Sequence, residues 1–370
     1  ILPSCIFNFE AEMKSIFFVV GLSILLLAID KVALIPAFRQ CCTTASSVSV
    51  FRLSLDSDFT QDAAIERLRA RKMRYFMNFG SSRSFGYYFN PTADQIKTTP
   101  YLSDNERAKL LQWDAVNSAA PGASIVSEYV RMMQWLDHGA RPDFISVELS
   151  RFSLNSSSLW LNDEIKNGIP APFAIRYAGQ MPLPHSSTVV GSRVFALSRY
   201  RVGEPTAVSA SIWEGLFTQI TSNLSAEKVF QQTTPGIPVG QESPVMLMSY
   251  NHVASEMRRT MFSHYHVDSN LRKYPFLMLA RAKKENIPIV FWNPAAHPVW
   301  LDKEKDCDAR DTYNLFLREL KREGGIYIDL SQDKMKCSEF SDPVHMHIHC
   351  FPEMAWKKIS ALESAGALKL

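Results

Sequence analysis

The sequence predicts an α/β protein, a three-layer α/β/α sandwich around a central five-stranded parallel sheet with an inserted region. Three observations predict it. Five short apolar runs, at 74–79, 113–117, 144–149, 288–292 and 325–330, have the length and the β-branched or aromatic content of buried strands. Helix-like segments at 123–137, 271–286, 311–323 and 352–362 alternate with or follow them, as parallel crossovers require. A Ser-, Pro- and Gly-rich stretch from 151 to about 270, with one helix-like piece at 210–222, takes the place of a crossover and reads as an insertion over the strand ends.

Composition narrows the function classes. The 370 residues are 46% hydrophobic, enough to bury a full core, and 40 Lys and Arg against 37 Asp and Glu leave a net charge of only +3. No basic block interrupts that balance, so nucleic acid is not an expected partner. The six cysteines lack C-x-x-C spacing, which argues against a zinc ribbon; Cys307 and Cys337 are a candidate pair for an oxidising compartment.

The order of elements along the chain begins with an extension, 1–14, followed at 15–38 by an apolar segment interrupted only by Asp30 and Lys31. Its length suits a tilted bilayer span, and no clean small-x-small cleavage site follows, so a signal anchor is expected; a buried N-terminal helix is the alternative. Lys14 ahead of the run places the rest of the chain outside the cytoplasm. A polar and then Arg-rich stalk, 39–72, leads to the α/β domain at 73–370, whose element order is flavodoxin-like.

Candidate chemistry lies where strands end. In open parallel sheets the ligand site is at the carboxyl edge, and there Gly80-Ser81-Ser82 follows the first strand, with Ser82 on the turn and Arg83 beside it either to bind an anionic substrate group or to pair with a neighbour. A serine hydroxyl needs a base and oxyanion donors. The run Ser341-Asp342-Pro343-Val344-His345 supplies a base, because an Asp three residues before a His holds one ring nitrogen and leaves the other free. Gly122, after the second strand, is either an oxyanion donor or part of a plain helix start capped by Ser118 or Ser124, and Asn155 is either a further donor or an ordinary polar loop residue. His297 follows the fourth strand, facing the same cleft or satisfied within its loop. The run His345-x-His347-x-His349 invites a metal, but the only acid close by in sequence is Asp342 and there is no H-E-x-x-H, so no metal is assigned; His264 and His266 receive no role.

These blocks, in this order, resemble the SGNH (GDSL-like) hydrolase superfamily, most closely membrane-anchored envelope members whose nucleophile block reads G-S-S, similar to DltD and other bacterial SGNH-like proteins. The resemblance covers roughly 74–362 without the insertion. It implies the same three-layer sandwich, Ser82 as nucleophile, His345 as base, Asp342 as its orienting acid, Gly122 as oxyanion donor and no cofactor. The family's G-x-N-D block is replaced here by Glu148-Leu149-Ser150-Arg151, with Asn155 as the substitute candidate. The expectation is an anchored serine esterase or O-acyltransferase acting on acylated glycan or lipid of the envelope. The alternatives are a non-catalytic envelope protein that binds a glycan or protein partner and, third, a metal-dependent phosphoesterase.

Overall fold

Five apolar strands pair side by side in the order β2-β1-β3-β5-β6, all parallel. In the computed structural model they are β1 (Arg74–Phe79), β2 (Trp113–Asn117), β3 (Phe144–Glu148), β5 (Ile289–Asn293) and β6 (Ile326–Asp329); β4 (Ile237–Pro238) and β7 (Glu339–Phe340) form a separate antiparallel pair. The structure describes residues 17–29, 31, 65–66, 70, 73–85, 93–119, 123–155, 161, 164–194, 236–262, 265–305, 310–331 and 335–368.

The central strands are buried on both faces, and alternation sorts their side chains into two cores. Met77, Phe79, Ile145, Val147, Ile289 and Phe291 point to one face. There they meet α4 (Ile125–Asp137), α8 (Lys273–Lys284) and α10 (Arg310–Arg322) through Tyr129, Met278 and Phe316. Phe76, Phe144, Val290 and Trp292 point to the other face, against α3 (Asp104–Leu110) and α11 (Phe351–Ser364) through Leu110, Met354 and Ile359. Each such ring or branched side chain contributes about 1.5–3 kcal/mol on full burial. Two helical layers on one sheet make the predicted three-layer sandwich.

Helices begin where caps permit. Ser124 accepts the Val126 N–H at the start of α4, and Ser103 with Glu106 forms a capping box ahead of α3. Two short helices, α1 (Ser82–Phe85) and α2 (Ala93–Thr98), precede α3. Between β3 and α8, in the stretch read as an insertion, lie α5 (Ala171–Tyr177), α6 (Leu183–Val194) and α7 (Pro244–Met261). A last helix, α9 (Pro298–Lys305), follows β5. The helix expected at 210–222 falls outside the described residues. Residues 17–29 of the expected anchor are helical and exposed, with Phe17 and Phe18 at 71% and 70%, rather than buried against the domain. Among the described residues no helix is long and apolar enough to cross a membrane, and the flanks of that segment lie outside them.

The chain leaves β1 for one edge of the sheet (β2) and returns across it to β3. The carboxyl ends of β1 and β3 therefore flank the topological switch point, where a doubly wound sheet opens a crevice.

Candidate active site

The nucleophile loop is built on that switch point. Gly80 ends β1 so closely against β3 that a Cβ on it would meet the Cβ atoms of Ser84 and Glu148 at 2.7 and 2.8 Å, so only glycine lets the chain turn here. Glu148, fully buried at the end of β3, organises the turn: its Oε2 accepts the Ser81 N–H at 2.9 Å and the Ser84 hydroxyl at 2.6 Å, while its Oε1 accepts the Ser81 hydroxyl at 2.8 Å. Arg83 donates through Nε to the same Oε1 at 3.1 Å and through Nη2 to Ser150. Burial alone would raise the Glu148 carboxyl, but the Arg83 guanidinium and the serine donors outweigh it and hold the acid below its ordinary range. With Ser81 and Ser84 turned inward, Ser82 is the serine of the block that is half-exposed.

The base arrives on a hairpin outside the central sheet. β7 runs into a tight turn, the Ser341 N–H donates to the His345 carbonyl, and the His347 N–H donates to Glu339 across the strands. At the tip, Asp342 Oδ1 accepts the backbone N–H of Val344 at 2.8 Å and of His345 at 2.9 Å, a local turn that fixes the acid. Its other oxygen lies 2.6 Å from His345 Nδ1, and His345 Nε2 lies 2.9 Å from Ser82 Oγ. Nδ1 donating to the carboxylate leaves Nε2 able to accept the serine proton. Burial works against charge on both groups. The Coulombic attraction and hydrogen bond between them overcome it, lowering Asp342 and raising His345 from their ordinary values.

Several supports hold this hairpin. A Cys337–Cys350 disulfide closes it thirteen residues apart, so Cys337 pairs with Cys350 and not with Cys307, because β7 and the approach to α11 bring those Cα atoms to 5.3 Å. Cys307 lies outside the described residues. Glu353 on α11 accepts the backbone N–H groups of Lys336 and Cys337, each at 2.8 Å. The His297 backbone N–H donates to the Pro343 carbonyl at 3.0 Å, next to Asp342 at the hairpin tip.

Ser82, Asp342 and His345, three candidates from opposite ends of the chain, are thus brought together. Others are placed differently. Arg83 is paired with Glu148 and Ser150 and is 12% exposed, the neighbour pairing that was one of the two readings of this residue. His297 is satisfied within its own surroundings, because Nδ1 accepts the Val299 N–H at 3.2 Å and Nε2 therefore donates to Glu242 at 2.7 Å, with both side chains 3% exposed. Its ring packs edge-on against Tyr250 and Phe340. Asn155 is buried, bridging Val267 through its backbone. Gly122 lies outside the described residues, although Ser124 beside it is the helix cap that the alternative reading required. Glu148 was missed as the organiser of the Ser82 loop, although an acid closing a fully buried strand was the signal that could have found it.

The fold and this geometry define a three-layer α/β/α protein with a Ser–His–Asp arrangement at the carboxyl edge of its parallel sheet. The chain belongs to the DUF1574 family, described as protein of unknown function, whose model matches residues 13–359. No curated protein matches the chain.

Proposed function

We propose that this protein is a serine esterase or O-acyltransferase of the SGNH type, held to a membrane by its N-terminal segment, with the α/β domain outside the cytoplasm and acylated glycan or lipid as its substrate class. The observation that carries this reading is the unbroken relay from Ser82 Oγ through His345 to Asp342, at 2.9 and 2.6 Å. Ser82 adds to the ester carbonyl as His345 Nε2 takes its proton. Collapse of the adduct breaks the ester C–O bond, and the departing alcohol receives that proton, leaving the acyl group on Ser82. Water or a second hydroxyl then adds to the acyl carbon as its proton passes to His345; collapse breaks the bond to Ser82 Oγ, which takes that proton back from His345, so hydrolysis and transfer share one site. Asp342 steadies the imidazolium in between. The disulfide supports an oxidising compartment, and the exposed apolar helix at 17–29 supports an attachment outside the domain.

The test is covalent labelling of the full-length chain, in detergent, by a fluorophosphonate. Wild type is expected to label, and Ser82→Ala and His345→Ala to lose labelling by at least about a hundredfold. Wild type that is folded by circular dichroism yet stays unlabelled sinks the catalytic reading. One observation favours a second reading, that the sandwich is kept as a non-catalytic binding module: Glu148 stands where the resembling family carries its third block and is consumed in holding the loop. That reading gains from the unlabelled outcome alone.

A further inference from the structure

Outside the Ser82–His345–Asp342 arrangement, the described residues bring together one cluster of side chains able to ligate a metal. His345 leaves the histidine run for Ser82 and Asp342, while its two successors turn the other way and meet an acid from the opposite strand of the hairpin. We propose that Glu339, His347 and His349 form a divalent-cation site suited to zinc. The donor atoms of all three lie within 4.8 Å of one another, with His349 Nδ1 at 3.0 Å and His347 Nδ1 at 3.5 Å from the same oxygen, Glu339 Oε2. In a tetrahedral zinc site with bonds of about 2.0–2.1 Å, neighbouring donors stand about 3.3 Å apart. The 3.0 Å contact is a direct hydrogen bond, and His347 Nδ1 also accepts the His349 backbone N–H at 3.5 Å.

Backbone and surroundings point the same way. Glu339 and His347 face each other across the hairpin through the His347 N–H to Glu339 carbonyl bond, which puts their side chains on one face. Tyr101 donates its hydroxyl to Glu339 Oε1, leaving Oε2 turned toward both rings, the outer-shell support that metal-binding carboxylates commonly have. Gly236 closes one side so tightly that a Cβ there would lie 2.8 Å from His347 Cβ. Glu339 and His347 are 12% and 11% exposed and His349 is 56% exposed, so the site has one open side for entry and for a fourth ligand. Two imidazoles and one carboxylate suit zinc better than magnesium or calcium, which prefer oxygen donors. A cation here ties β7 to the chain just beyond His345 and so fixes both arms of the hairpin that presents the acid and the base.

The experiment uses full-length protein with a histidine-free tag, stripped by chelator and titrated with zinc alone by calorimetry, and with cobalt alone to read the visible spectrum of a tetrahedral site. One equivalent is expected, with the tetrahedral spectrum. Glu339→Gln and His349→Ala should weaken zinc by at least about a hundredfold, and Tyr101→Phe by about tenfold. His349 is exposed, so its alanine variant keeps the test meaningful if the Glu339 variant fails to fold. Zinc should also slow amide exchange at 339–350 in wild type and not in His349→Ala. No uptake by folded wild type, or uptake unchanged in His349→Ala, overturns the site. Because binding is the readout, the result does not depend on whether Ser82 labels.

Discussion

The two halves of the Ser82–His345–Asp342 arrangement are held in place by different means. Ser82 stands on a turn between two central strands, fixed by one buried carboxylate that gathers Ser81, Arg83 and Ser84. Asp342 and His345 stand on a hairpin outside the five-stranded sheet, held by a disulfide, a two-residue strand pair, the Glu353 carboxylate and the His297 N–H. The nucleophile side inherits its rigidity from a core that must form anyway. The hairpin buries Phe340 and Met346 in the second core and Val344 in a smaller cluster, and adds discrete cross-links to that packing. The cross-links are particular to the hairpin and the Glu148 clamp to the Ser82 loop, so each side is expected to respond to the loss of its own support first.

The largest effect is expected at Glu148. Glu148→Ala leaves Arg83 buried without its partner and strands three serine-loop donors, a loss of about 3–5 kcal/mol of unfolding free energy by urea titration. A loss below about 1 kcal/mol would mean that the carboxylate is incidental to the loop. Next is the disulfide: Cys337→Ser with Cys350→Ser should cost about 2–3 kcal/mol through the freed loop. The contrast predicts where the loss is felt, with amide exchange rising in 337–350 and staying slow in β1 and β3. Equal acceleration in both regions would break the comparison.

A third prediction concerns a second buried acid on the sheet side. Glu164 accepts from Ser124 and Ser127, but burial outweighs those bonds and pushes its carboxyl up to about 7. Between about pH 4.5 and 7 the folded protein keeps a proton that the unfolded chain has released, so stability falls as pH rises through that window. Glu164→Gln should make the decline shallower, read as the slope of unfolding free energy against pH. Identical slopes would show that this group does not titrate on unfolding. Glu148, paired with Arg83 and held low, adds no such decline.

Much of the fold was legible in the sequence. The runs at 74–79 and 113–117 coincide with β1 and β2, and the other three sheet strands differ by one residue at one or both ends. Buried parallel strands are continuous apolar runs between turn residues, a local pattern that needs no knowledge of neighbours. The strand pair β4 and β7 left no comparable trace, since two residues carry no period. The site divides in the same way. Asp342 and His345 are three apart and make their own turn, so their partnership could be read, and Ser82 was marked by Gly80 and the strand before it. The Arg83–Glu148 and His297–Glu242 pairs span 65 and 55 positions and follow from strand order and the packing of the insertion.

By itself the sequence determined the sandwich, the strand-end positions of the site and the identity of the serine, histidine and aspartate, because periodicity, turn chemistry and short-range pairs are properties of the chain over a few residues. Only the tertiary structure decided that Glu148 clamps the loop, that Cys337 takes Cys350 and that Glu339 meets His347 and His349. Those partners are chosen by the register of strands and by which groups share a buried volume, and neither exists until the sheet has closed.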